Sequence, residues 1–277
     1  MNNIIELKDT SYSYPKINYS AINKVNIKIK SNQFIAIIGP NGSGKTTLAL
    51  LLNGLIIPKQ GVVIVKGIST NNSAEKLWEI RNTVGIVFQN PDNQIIANTI
   101  EDDVAFGLEN QGIASTEIRL RVDRALKEVD IFSLRLKEPQ YISGGQKKKV
   151  TIAGILAMRP EVIIFDEATA MLDPQGKKEI LILIKELVRK EEITIIHITN
   201  ILEETLEADR VIVMNKGQII MNDIPSKVFE KRELLLSIGL EVPIVTEIAQ
   251  RLNNRGYPIK RDIICAEELA EKLWTLF

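Results

Sequence analysis

Gly39-Pro40-Asn41-Gly42-Ser43-Gly44-Lys45-Thr46-Thr47 follows the apolar run Phe34-Ile35-Ala36-Ile37-Ile38 and leads into Leu48-Ala49-Leu50-Leu51-Leu52. That order reads as a buried strand, a glycine-rich loop and the start of a helix. Glycines let the backbone wrap closely around an anion and turn successive N–H groups inward, while the helix N-terminus adds its positive partial charge. The pattern predicts a polyphosphate cradle built from Gly39, Asn41, Gly42, Ser43, Gly44, Lys45, Thr46 and Thr47. Within it Lys45 is expected to reach the β- and γ-phosphates and the Thr46 hydroxyl to ligate Mg²⁺.

Around this loop the bulk composition sets limits. The 277 residues carry 35 basic and 35 acidic side chains, so no global field recruits nucleic acid or anionic lipid. The apolar run from residue 48 to 57 is broken by Asn53 and Gly54 and is too short to span a bilayer. The opening Met1-Asn2-Asn3-Ile4-Ile5-Glu6 lacks the basic-then-apolar layout of a secretory signal. A single cysteine, Cys265, excludes an intrachain disulfide and fits a reducing compartment; with one histidine beside it, a structural zinc site from those ligands is excluded too.

Upstream of the loop, residues 4–7, 21–29 and 34–38 read as strands, with Ser31-Asn32 as a hairpin signal, and suggest an antiparallel edge sheet. Ser11-Tyr12-Ser13-Tyr14-Pro15 sets an aromatic pair ahead of the cradle; a ring there can stack on a base or pack on the sheet edge. Downstream, residues 61–65 and 84–88 are strands, the second ending at Gln89, and Asn90-Pro91-Asp92-Asn93-Gln94 is turn-rich. Thr99 caps a helix with an acidic first turn, and the chain stays helical and charged to about residue 158, Arg119, Arg121, Asp123 and Arg124 forming a solvated face.

That insertion ends in Ile142-Ser143-Gly144-Gly145-Gln146, a capping hydroxyl and exposed N–H groups that make a second anion site. Lys147-Lys148-Lys149 reads as solvated surface or a basic patch. Val162-Ile163-Ile164-Phe165-Asp166-Glu167 then brings two carboxylates to the C-terminal end of a strand, where open α/β sheets form their ligand crevice. Asp166 is expected to hold Mg²⁺ and Glu167 to position or deprotonate a water for attack on the γ-phosphate. A helix from about residue 175 to 190, a strand over 193–199 and a hairpin over 211–220, turning at Asn215-Lys216-Gly217, complete an alternation that argues a parallel sheet covered on both faces. His197 is expected to be a packed strand residue, sent by period-two alternation to the sheet face opposite Asn200.

The phosphate loop, Gln89, Ser143-Gly144-Gly145-Gln146, Asp166-Glu167 and Leu172-Asp173 stand in the order of ATP-binding cassette ATPases, which the first 220 or so residues resemble. Phe88-Gln89-Asn90-Pro91-Asp92-Asn93-Gln94, Asp103-Val104-Ala105-Phe106-Gly107 and the run from Asp166 through Leu172-Asp173-Pro174 look like the ATPase subunits of energy-coupling factor transporters, which import vitamins and transition-metal ions. The resemblance implies an α/β P-loop NTPase fold with a mixed, largely parallel core sheet, an antiparallel β edge subdomain, an inserted helical subdomain at about 95–158 and a small C-terminal appendage. Residues 1–221 would be the nucleotide-binding domain and 222–277 an interaction or dimerisation surface. It further implies two ATP molecules sandwiched head-to-tail in a homodimer or a heterodimer with a related ATPase, each held by one chain's loop and the other's Ser143, Gly144, Gly145 and Gln146. Tyr14 would stack on adenine, Gln89 would sense the γ-phosphate and Mg²⁺, and Asp173 would cross the interface. Partners would be a transmembrane coupling protein, docked near 91–94, and a substrate-binding membrane protein, with no nucleic acid, at the cytoplasmic face of the membrane.

One position departs from the family's pattern: where a switch histidine follows a threonine, this chain reads Thr199-Asn200. Asparagine donates and accepts hydrogen bonds but cannot become an imidazolium that carries developing phosphate charge. The expectation is ATP binding and closure with slow hydrolysis. A hydrolysis-impaired regulatory subunit paired with a competent ATPase is the first alternative. A soluble cassette ATPase of nucleic-acid maintenance or translation is the second, opposed by the neutral charge and the lack of a long coiled-coil insertion. A phosphate-loop kinase leaves Ser143 to Gln146 unexplained.

Overall fold

The structure, a computed structural model, describes residues 3–15, 19–191 and 193–276; Met1 and Asn2 of the N-terminal stretch and Phe277 lie outside the described residues. In chain order the strands are β1 (Asn3–Tyr12), β2 (Ile22–Lys30), β3 (Phe34–Ile38), β4 (Gln60–Val65), β5 (Ile68–Ser69), β6 (Val84–Val87), β7 (Val162–Asp166), β8 (Thr194–Ile198), β9 (Arg210–Asn215) and β10 (Gln218–Asp223). The helices are α1 (Lys45–Asn53), α2 (Ala74–Thr83), α3 (Ile100–Asn110), α4 (Ser115–Glu128), α5 (Gly144–Ala157), α6 (Pro174–Glu191), α7 (Pro225–Glu230), α8 (Arg232–Ser237), α9 (Ile244–Asn254) and α10 (Ala266–Trp274).

Two sheets result, one antiparallel in the order β2-β1-β4-β5 and one in the order β10-β9-β3-β8-β7-β6. Within the second, β9, β3, β8, β7 and β6 run parallel and β10 closes the edge antiparallel to β9. Its central strands are buried throughout and mostly apolar because both faces are covered. Period two divides them: Phe34, Ala36, Ile38, Ile163, Phe165 and Ile195 face the helical insertion and α6, while Ile35, Ile37, Ile164, Ile196 and Ile198 face α1 and the antiparallel sheet. The α/β architecture therefore matches the sequence reading.

The Ser31-Asn32 turn does not close a hairpin. It hands the chain from one sheet to the other, with Asn32 in the left-handed region at φ 59° and its N–H donating to Thr194 Oγ1 at 3.0 Å. A turn signal reports a reversal of the chain, not which partner the next strand takes; β3, apolar on both faces, takes parallel partners on both sides. At Asn215-Lys216-Gly217 a true hairpin forms, with φ 46° at Lys216 and 76° at Gly217, the double positive φ of a type I′ turn. Thr99 caps α3 by accepting from the Asp102 N–H.

The C-terminal helices divide in their packing. Val228, Phe229 and Leu235 of α7 and α8 join the main core, whereas Ala249, Ile259, Ile263 and Leu269 form a small cluster of their own.

Candidate functional site

The phosphate loop spans the gap between the C-terminal end of β3 and α1, and the β9–β10 turn braces it from behind: the Gly217 N–H donates to the Ser43 carbonyl at 2.9 Å. Gly44 sits at φ 104°, and a Cβ there would drive into the Ala21 carbonyl oxygen, so only glycine fits. α1 follows Gly44 as its N-cap, without a side-chain cap, which leaves its first N–H groups for an anion. Ser43 Oγ is buried and has no partner. Lys45 is buried at 6% exposure, its Nζ folded back onto the Gly39 carbonyl at 2.7 Å and the Pro40 carbonyl at 3.3 Å. Burial pushes the Lys45 ammonium down from its ordinary range, while the charges of Glu167 and Asp166 pull it back up. Thr46, Asn41 and Gly42 are exposed at the mouth. The Tyr14 hydroxyl stands 3.2 Å from Thr47 Oγ1 and its ring meets Tyr12 edge-on at 5.1 Å, which sets Tyr14 at the loop's flank.

Opposite the loop, β7 ends at Asp166, buried and raised above the usual carboxylate range, chiefly by burial, with a hydrogen bond from Thr46 opposing. Asp166 Oδ1 has no partner. Glu167 follows in the left-handed region at φ 49°, a strained conformation for a residue with a Cβ. Its N–H donates to the Ile198 carbonyl at 2.9 Å, which binds the turn to the end of β8. From just beyond β8, the exposed Asn200 donates through Nδ2 to Glu167 Oε1 at 2.8 Å and to Asn41 Oδ1 at 3.3 Å. Asp166, Glu167, Asn200, Asn41 and Lys45 thus converge on one mouth.

Ser143, Gly144, Gly145 and Gln146 do not join them. Ser143 Oγ accepts from the Gln146 N–H and the Gln146 side chain accepts from the Ser143 N–H, a capping box that presents the start of α5 to solvent. Asp173 caps the neighbouring α6 by accepting from the Gly176 N–H at 3.0 Å. Among the described residues these two turns share a hollow of their own, apart from the phosphate loop.

One expectation is corrected. Lys147 and Lys149 are paired with Asp92 and Glu179, but Lys148 is wholly buried, its Nζ donating to the Phe88 and Gln89 carbonyls at 2.6 and 2.7 Å. Burial pushes its ammonium down to about 8. The signal was in the helix period: Lys148 shares a stripe with the buried Thr151 and Ile152. His197 is the packed strand residue expected, wholly buried in β8, and it gains a polar partner there, Nε2 standing 2.8 Å from Glu204 Oε2 in a buried pair. Glu204 was missed; nothing in Leu202-Glu203-Glu204-Thr205 tells which carboxylate turns inward.

The residues fit a magnesium nucleotide. Ser43 Oγ and Asp166 Oδ1 are buried oxygens without partners, the Thr46 hydroxyl is exposed at the same mouth, and an all-oxygen set suits Mg²⁺. Among the described residues no three His, Cys, Asp or Glu gather to hold a metal ion. Nor is any described helix long and apolar enough to cross a membrane.

The ABC transporter family pattern matches residues 22–170. The energy-coupling factor transporter ATP-binding protein EcfA1 of Clostridium novyi (strain NT) is 50% identical over 277 residues, covering 99% of each chain. Among solved structures, cbiO1 from Clostridium perfringens, described as part of the ABC transporter complex cbiONQ, superposes with a TM-score of 0.78 at 36% identity, covering 92% of this chain and 98% of that one. The dimeric ATP-binding cassette MJ0796, in a post-hydrolysis state bound to ADP and Pi, gives 0.72 at 29% identity over 80% of this chain and 98% of that one. With the loop, the carboxylates and the capped glycine turn in place, the chain belongs to the ABC transporter family of ATPases, as an energy-coupling factor transporter ATP-binding protein.

Proposed function

We propose that this chain drives an import complex of the energy-coupling factor type by ATP-dependent dimer closure, with slow hydrolysis at its own site, in uptake of a vitamin or transition-metal ion. The observation that carries the slow site is Asn200, held 2.8 Å from Glu167 and 3.3 Å from Asn41 at the mouth of the loop. In this reading the loop N–H groups and Lys45 hold the triphosphate, Lys45 exchanging its loop carbonyls for phosphate oxygens, and Glu167 orients the attacking water. Thr46, Asp166 and Gln89 would hold Mg²⁺, which neutralises phosphate charge when bound. Tyr14 flanks the base. The capped turn Ser143 to Gln146 of one chain closes on the γ-phosphate in the other's loop, so binding brings two chains together and hydrolysis releases them. The dimeric state of MJ0796 supports this reading.

Residues 222–277 serve as an interaction surface in the homodimer or heterodimer. A transmembrane coupling protein docks near 91–94 and a separate membrane protein selects the cargo, which makes the chain peripheral to the cytoplasmic face of the membrane. Co-purification from membranes, with the bound proteins identified by mass, tests these partners. Replacing Asn200→His tests the slow site. Regaining one transition-state contact is expected to raise turnover by about 10²–10³-fold, and Glu167→Gln to abolish it. Wild-type turnover already at about 1–10³ s⁻¹ overturns the slow site. Asn200 also favours a second reading, a regulatory subunit beside a competent ATPase; hydrolysis that stays negligible alone and appears only with a partner ATPase selects it.

A further inference from the structure

Glu204 lies in the short 3-10 turn Leu202–Thr205 with 8% of its surface exposed, at a place where a charged carboxylate is costly unless every lone pair is used. It accepts three hydrogen bonds: from Thr169 Oγ1 at 2.8 Å, from His197 Nε2 at 2.8 Å and from Thr199 Oγ1 at 2.7 Å. The donors are themselves buried, Thr169 and Thr199 at 1% and His197 at 0%. Apolar side chains would fill this space with less desolvation, so the location of the donors is the informative feature.

Two of them belong to the segments that carry the reacting side chains. Thr169 lies in the turn that begins at Glu167, closed by the Ala170 N–H donating to the Glu167 carbonyl at 3.1 Å. Thr199 immediately precedes Asn200, and its hydroxyl also accepts from the Ile201 N–H at 3.0 Å. Glu167 itself is strained at φ 49°, a conformation that persists only where its surroundings over-determine it. We propose that Glu204 is a positioning residue for ATP hydrolysis: it ties the Glu167 turn to the Asn200 segment from beneath and so sets the 2.8 Å contact between those two side chains. His197, anchored in β8, completes the tie to the sheet. Glu204 touches no nucleotide; its role rests on the reading that Glu167 acts on the attacking water.

The test uses the purified full chain and single-turnover ATP hydrolysis, which resolves slow sites, beside equilibrium binding of a fluorescent ATP analogue. Thr169→Val keeps the shape and removes the hydroxyl, Thr169→Ser keeps the hydroxyl, Thr199→Val repeats the deletion on the other segment, and Glu204→Gln removes the charge. Thr169→Val, Thr199→Val and Glu204→Gln are expected to slow hydrolysis by about 10- to 100-fold, the scale of a small misplacement, with ATP affinity within about twofold of wild type. Thr169→Ser is expected to stay within about twofold of the wild-type rate. Unchanged rates in the two valine variants and Glu204→Gln, where Glu167→Gln abolishes hydrolysis, overturn the role of Glu204 alone. Loss of ATP affinity in step with rate, or no rescue by serine, reduces Glu204 to a structural residue and also overturns it. A Glu167→Gln chain that hydrolyses at the wild-type rate overturns the reading of the site and this inference with it.

Discussion

Lys148 holds the start of α5 to the segment just after β6 through two carbonyls, its ammonium taking the place of water on both. Lys148→Met removes both donors and leaves the Phe88 and Gln89 carbonyls to be resolvated, which is expected to cost about 1–3 kcal/mol in urea unfolding. Lys148→Gln, with one amide donor group, should lose less. Glu204 gives a pH dependence with a definite sign. Burial pushes its carboxyl up, but the hydrogen bonds from His197, Thr199 and Thr169 outweigh burial and hold it below the ordinary carboxylate value of 4.5. A carboxylate depressed in the folded state stabilises fully above its unfolded value and loses that contribution as pH falls through the folded one. The melting temperature of the wild type should therefore fall more steeply than that of Glu204→Gln between about pH 5 and pH 3. Parallel curves by circular dichroism would show that the charge is not what holds the turn.

At the scale of elements, α5 begins with a capping box whose two hydrogen bonds satisfy N–H groups that water would otherwise serve. Ser143→Ala should cost about 1 kcal/mol in chemical unfolding. Its larger effect is expected on hydrolysis, lost while ATP still binds the chain's own phosphate loop, because in the proposed closure the capped turn serves the nucleotide held by a partner. A mutant with full hydrolysis would sink that division of labour. Much of this was legible along the chain: the strand–loop–helix order at residues 34–52, the capping threonine of α3 and the Asn215-Lys216-Gly217 hairpin each announce themselves within a short local run. Two features were not. Ser31-Asn32 marks a reversal but not the sheet that receives the next strand, and Lys147-Lys148-Lys149 looks uniform until α5 is rotated to show which lysine faces inward.

For the whole molecule, the phosphate loop ties the core sheet to the antiparallel sheet through Gly44 packed on Ala21 and to the β9–β10 hairpin through Gly217. Nucleotide binding is thus expected to stabilise the fold as a unit. ATP with Mg²⁺ at about 100 times its dissociation constant should add about 2.7 kcal/mol, read as one cooperative shift of the melting curve. Lys45→Ala should melt near the unliganded wild type and lose most of that shift. A shift retained in Lys45→Ala would place the nucleotide elsewhere.

The chain's linear pattern alone determined the α/β class, the cradle from Gly39 to Thr47 and the pair Asp166-Glu167, because each depends on neighbours a few residues apart and on side-chain periods of two or 3.6, while the asparagine at 200 stood out only against the pattern of the family the chain resembles. Folding alone decided which buried polar groups meet. Glu204 reaches Thr169 across 35 residues and Lys148 reaches Phe88 across 60. A carboxylate or an ammonium enters a core only where distant hydroxyls, a ring nitrogen or free carbonyls converge to replace water, and that convergence is a property of packed segments rather than of any local run of residues.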